Sequence, residues 1–175
     1  MKKIFTLILV AIILQSCATV NTQDSIIRIK GRYNNPDTFY FSDRTQEEVW
    51  NATVKLICKA GYSVKFMEKV SGVIFLDKTD FLDVSTTENN KGLENPEAFV
   101  VTGKQLIYGM TLKPSNVIAD WNIRIFQDNG KTAININLKN IKSITPINTV
   151  NTQSIVYESK STGNFEKMIA DSIVF

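Results

Sequence analysis

The stretch VIADWNIRIFQDNGKTAININLK, residues 117–139, decides the fold class. Val117, Ala119, Trp121, Ile123 and Ile125 recur at every second position, which puts them on one face of a strand. Asn129-Gly130, inside QDNGK, favours a tight hairpin turn because both residues tolerate positive φ. The chain then returns through Ile134, Ile136 and Leu138, alternating with the polar Asn135, Asn137 and Lys139. Two such strands pair antiparallel, and an antiparallel sheet can keep one of its faces wet.

Upstream, Thr45-Gln46-Glu47-Glu48 forms a capping box, so a helix is expected to start there. Val49, Thr53, Leu56, Ile57 and Ala60 follow a 3.6-residue period, and Trp50, Val54 and Cys58 widen that apolar side. Glu47 and Glu48 lie at the positive end of the helix dipole, Lys55 and Lys59 near its negative end, and Gly61 supplies the stop. Tyr62, Val64 and Phe66 alternate with Ser63, Lys65 and Met67, and EKVSG turns the chain into Val73–Leu76, a second hairpin. Residues 77–97 are polar and read as a surface insertion, and AFVVTGKQLIYGMTL as one or two more strands. At the front, IIRIKGRY alternates as a strand and Asn34–Asp37 reads as a turn. Behind the central hairpin, 143–154 reads as a polar linker into a last strand at 155–157, and Phe165, Met168, Ile169 and Ile173 as one face of a closing helix. The expectation is an α+β domain: an antiparallel sheet of about five or six strands with two helices, about 45–60 and 163–174, on one face.

Before the domain stands MKKIFTLILVAIILQSCATV. Lys2 and Lys3 followed by the apolar run Ile4–Leu14 have the layout of a secretory signal, and the run is shorter than the roughly 20 residues a spanning helix needs. Leu14-Gln15-Ser16-Cys17 resembles the lipobox of bacterial lipoproteins, although Gln15 is less typical at its position. That resemblance implies cleavage after residue 16, acylation of Cys17, and a membrane partner held through its acyl chains. The alternative is an ordinary cleaved signal with an incidental cysteine. Two acyl chains already anchor stably, each buried methylene contributing about 0.8 kcal/mol. Ala18 rather than aspartate after the cysteine favours the outer membrane, facing the periplasm, under the enterobacterial sorting rule. The expected organisation is a signal peptide at 1–16, the lipidated cysteine and a tether at 17–25, and one domain at 26–175.

The run EEVWNATVKLICKAGYSVKFMEKVSGVIF, followed by a hairpin and a terminal helix, resembles small envelope lipoproteins of largely unknown function. More distantly it is similar to the helix-grip modules of BamC-type assembly-machine lipoproteins. The likeness covers about 42–76 and 117–175, departs at the insertion, and implies a fold and an accessory role without any functional residue.

Composition narrows the chemistry. The net charge of +3 falls by two, to +1, once Lys2 and Lys3 leave with the leader, and no Lys/Arg cluster marks a nucleic-acid binder. The chain has no histidine, which removes the usual general base, the commonest metal ligand and every Ser-His or Cys-His pair. With Cys17 acylated, Cys58 is the one remaining thiol; its place beside Val54 and Ile57 favours burial over nucleophilic use. Asp77, Asp80 and Asp83 lack the alternate spacing, glycine and closing glutamate of a calcium loop, so neither metal nor cofactor is expected. No G-x-S-x-G elbow or S-x-x-K pair occurs, and no catalytic set stands out. The sequence therefore points to a non-enzymatic envelope module that binds another envelope protein. The alternative is a carrier holding a small apolar ligand between helix and sheet near Trp50, Tyr62 and Trp121, with core packing the plainer role for such aromatics. An enzyme comes third.

Overall fold

The computed structural model describes residues 25–33, 38–107, 109–148 and 153–174. The expected leader, Cys17, most of the expected tether and the turn expected at 34–37 lie outside them. Strands run Ser25–Ile27 (β1), Phe39–Ser42 (β2), Val64–Glu68 (β3), Val73–Asp80 (β4), Ser85–Asn89 (β5) and Gly92–Leu93 (β6). They continue with Val100–Thr102 (β7), Lys104–Ile107 (β8), Met110–Leu112 (β9), Asn116–Asp128 (β10), Lys131–Asn148 (β11), Gln153–Tyr157 (β12) and Ser159–Ser161 (β13). Helices cover Gln46–Ala60 (α1) and Asn164–Val174 (α2).

The hairpin at 117–139 is the spine. β10 and β11 pair antiparallel from Asn116↔Ile144 to Asp128↔Lys131 across an Asn129-Gly130 turn with both residues at positive φ. A six-stranded sheet grows from it in the order β12-β11-β10-β4-β3, with β2 also paired to β11. Its inner residues Ile74, Leu76, Val117, Trp121, Ile123, Ile125, Ile134 and Ile136 are buried with Val49, Trp50 and Ile57 of α1 and Phe165, Ile169 and Ile173 of α2.

The mixed α+β class holds, but the single sheet with both helices on one face does not. A second sheet, β13-β7-β5-β6, contains a parallel β5/β7 pair, and a third is β1-β8-β9. α2 seats itself where the main and second sheets meet. Phe165 meets Trp121 of the main sheet edge-on at 4.9 Å, and also Phe81 at 5.1 Å and Phe99 at 5.6 Å from the intervening segment. Buried Glu166 accepts from the Leu138 N–H at 3.3 Å and from the Ser161 hydroxyl at 2.7 Å, one strand from each sheet.

The 77–97 insertion is thus no surface loop. Buried Thr86 and Thr87 lie in β5, which pairs with β7; threonine suits a strand by its β-branching, while its hydroxyl makes the stretch read as polar. Of the supposed linker at 143–154, residues 143–148 and 153–154 are strand, since β11 runs on to Asn148 and pairs with β12, and 149–152 lie outside the described residues. At the front, only Ile26 and Ile27 of the expected first strand are paired, with Ser25 ahead of them.

α1 forms where its signals placed it. The Thr45 hydroxyl accepts from the Glu48 N–H at 3.3 Å, the Glu48 carboxylate accepts from the Thr45 N–H at 2.8 Å, and Gly61 closes the helix at φ 71°. Among the described residues no helix is long and apolar enough to cross a membrane.

Candidate functional site

The site is on the main sheet's outer face. Register defines the face: Phe66 opposes Phe75, Phe75 opposes Asn122, and Asn122 opposes Asn137. A parallel row carries Val73, Arg124, Asn135 and Phe39. Phe39 meets Phe126 edge-on at 5.9 Å, and the Arg124 guanidinium lies 5.8 Å from the Phe126 ring centre. Two aromatic groups therefore flank a centre of three asparagines, of which Asn135 and Asn137 are buried and joined by an Asn137 Nδ2–Asn135 Oδ1 hydrogen bond of 2.6 Å. Phe66 and Phe75 are 49% and 43% exposed, and Phe39 and Phe41 are exposed too. Scattered surface apolar groups are ordinary, whereas aromatics gathered on one face are not.

Asp120 shapes this face. Both neighbouring strands slip register at its level, β11 between the partners of Ile118 and Asp120 and β4 between those of Ala119 and Trp121. Each slip leaves a residue in the left-handed region, Lys78 at φ 49° and Asn140 at φ 50°. Asp120 ties both down: its Oδ2 accepts from the Asn140 amide at 2.8 Å and its Oδ1 from the Lys78 N–H at 3.3 Å. The Asn140 hydrogen bond is the main reason its carboxyl sits below the usual value; burial opposes this, and the Lys78 N–H and the charge of Lys65 assist. Paired bulges bend a sheet and increase its twist. Here the bend opens a groove of about 360 Å³ lined by Lys65, Phe66, Phe75, Leu76, Asp120, Trp121, Lys139 and Asn140.

The groove offers two rings, two ammonium groups and a carboxylate already engaged by its neighbours. It suits an apolar group lying beside an anionic one. β3 borders it, and among the described residues no strand pairs with the outer side of β3. A register slip between Val64 and Phe66, with Lys65 within it, guards that edge against strand addition.

The residues expected to line a pocket sit elsewhere or are packed. Tyr62 and Trp121 do come together, edge-on at 5.1 Å, and the Trp121 indole donates to the Thr79 hydroxyl at 2.9 Å. Phe165 packs edge-on against Trp121 as well, at 4.9 Å. Trp50 is buried in α1 and borders a separate shallow hollow with Gln46, Glu47, Lys69 and Val70. Trp121 borders the outer groove, but its ring is fully buried in the core. Cys58, expected to be buried, is exposed. α1 turns Val49, Trp50, Thr53 and Ile57 inward, and position 58 falls a further 100° round, beyond the strands that cover Ile57. Asp80 of the aspartate series accepts from the Leu82 N–H at 2.8 Å, ordinary turn chemistry.

Sequence reading missed the groove because its lining is split over four strands. The one local signal was Phe66 and Phe75 falling opposite one another in the second hairpin. No protein-family model matches the chain, and no curated protein matches it.

Proposed function

We propose that the protein is a lipid-anchored, non-enzymatic module of the bacterial cell envelope that binds another envelope protein through the outer face of its main sheet. The lipobox-like Leu14–Cys17 supports the anchor, with the outer membrane and the periplasm as its setting. The observation that carries the binding role is the groove between exposed Phe66 and Phe75, flanked by Lys65 and Lys139. Its partner segment presents an apolar side chain next to a carboxylate. The helix-grip likeness fits this accessory role. A second reading has one observation in its favour: about 360 Å³ also admits a small amphipathic ligand. That ligand would lie on the outer face and not between helix and sheet.

The test is in-cell photo-crosslinking on the full-length protein. A benzophenone residue at 66 or 75 is expected to give the same discrete protein adduct, absent when it is placed at Val70, which is 92% exposed in the turn after β3. Charge reversal at Lys65 and Lys139 is expected to remove that adduct. No reproducible adduct, or one that survives charge reversal, contradicts the reading.

A further inference from the structure

The third sheet, β1-β8-β9, holds the point where the chain enters the domain. Its register puts Ile26, Gln105, Ile107, Met110 and Leu112 on one face. Ile26 and Met110 are 63% and 62% exposed on it. Ser25 is eight residues after Cys17, so even a fully extended connection spans only about 26 Å at about 3.3 Å per residue.

The entry point is also pinned. The Ile29 N–H donates to Glu158 at 3.2 Å, and the Lys30 and Gly31 N–H groups donate to Glu88 at 2.6 and 2.8 Å. The Tyr33 hydroxyl donates to the same Glu88 carboxylate. The strand next to the tether cannot swing freely about the domain. Lys104 and Lys113 are both taken up by Glu94 at 2.6 and 3.0 Å, while Arg28, just past β1, is exposed. What the Ile26 and Met110 side chains offer is apolar.

Resting on the lipid-anchor reading, we propose that the Ile26/Met110 face of the third sheet lies on the bilayer, its two exposed side chains entering the headgroup–acyl boundary. A short tether raises the local concentration of bilayer at this face, so two apolar side chains suffice where an untethered patch would not. The contact fixes which side of the domain looks away from the membrane.

The test uses the full-length protein, processed in a bacterial host, carrying Cys58→Ser and one new cysteine: Ile26→Cys, Met110→Cys or, as control, Val70→Cys. Each is labelled with an environment-sensitive fluorophore and reconstituted into phosphatidylethanolamine/phosphatidylglycerol vesicles doped with nitroxide lipid. Emission at 26 and 110 is expected to shift blue and to be quenched severalfold more than at 70. Equal quenching at the three positions in protein whose Cys17 is acylated by mass overturns the membrane-facing assignment and leaves the anchor standing. Shielding of 26 and 110 from aqueous iodide without nitroxide quenching overturns it in favour of a protein cover. An unacylated Cys17 overturns the anchor and this inference together.

Discussion

Single carboxylates fix the places where this chain departs from regular strand. Glu88 holds the entering segment through two backbone amides and the Tyr33 hydroxyl. Burial raises its carboxyl, but those hydrogen bonds outweigh burial and its pKa is lowered on balance, while Tyr33, partly desolvated and facing that carboxylate, is pushed up to about 12. A carboxyl whose folded pKa is depressed contributes stability that is present above its unfolded pKa and lost as pH falls through the folded one. The entering segment is therefore held at neutral pH and released in acid. Glu88→Gln is expected to bring the Tyr33 titration, read by ultraviolet absorbance, back toward the ordinary value of 10.0, and to speed hydrogen exchange at Lys30 and Gly31. An unchanged titration would show that Glu88 does not face Tyr33. Glu94 works alike on the hairpin side. Hydrogen bonds from Lys104 and Lys113 hold its carboxyl down at about 2, so that pairing fades only between the ordinary 4.5 and about 2. Such ties were invisible in sequence, since Glu88 and Tyr33 are 55 positions apart and nothing local joins them.

Among elements, those whose signals are local were legible. α1 began at its capping box and ended at its glycine, and β10–β11 turned at Asn129-Gly130, because capping and turn chemistry act within a few residues. The β3–β4 hairpin turns where EKVSG stands, and Gly72 decides it. At φ 67°, a Cβ on Gly72 would come 1.8 Å from the Ile125 carbonyl oxygen, while Ile125 donates its N–H to the Gly72 carbonyl at 2.8 Å. Gly72→Ala therefore forces β4 away from β10. It is expected to cost more than about 2 kcal/mol in urea unfolding, well above the conformational term of about 1 kcal/mol for a left-handed alanine. A loss within about 1 kcal/mol would mean the turn can move without disturbing the sheet. β5 and the end of β11 were not legible, because their Thr/Ser/Asn content signals loop unless the partner strand is known.

At the scale of the whole molecule, the main sheet and the segments leading into the second sheet meet in the core across one ring. Phe165 touches Trp121, Phe81 and Phe99, so both larger sheets lose a common contact if it goes. Phe165→Ala is expected to cost about 3–5 kcal/mol in urea and to weaken the near-ultraviolet circular dichroism of Trp121. A loss near 1 kcal/mol would mean the sheets are held independently. The fold class could be read from alternation and helical period, whereas the sheet count could not, since partner choice is a long-range decision. The candidate groove depends on paired bulges at Asp120 that join three strands, and no one segment announces them. The expected leader is the reverse case: Leu14–Cys17 speaks through sequence alone, and on it rests the proposal that a binding face is carried on a lipid anchor. The most direct measurement is intact mass and membrane fractionation of the full-length protein beside its Cys17→Ser variant in a bacterial host. The anchor predicts a diacylglyceryl- and acyl-modified Cys17 at the mature N-terminus, with the variant left uncleaved by the lipoprotein peptidase and unacylated. Normal processing and membrane attachment of Cys17→Ser would contradict it.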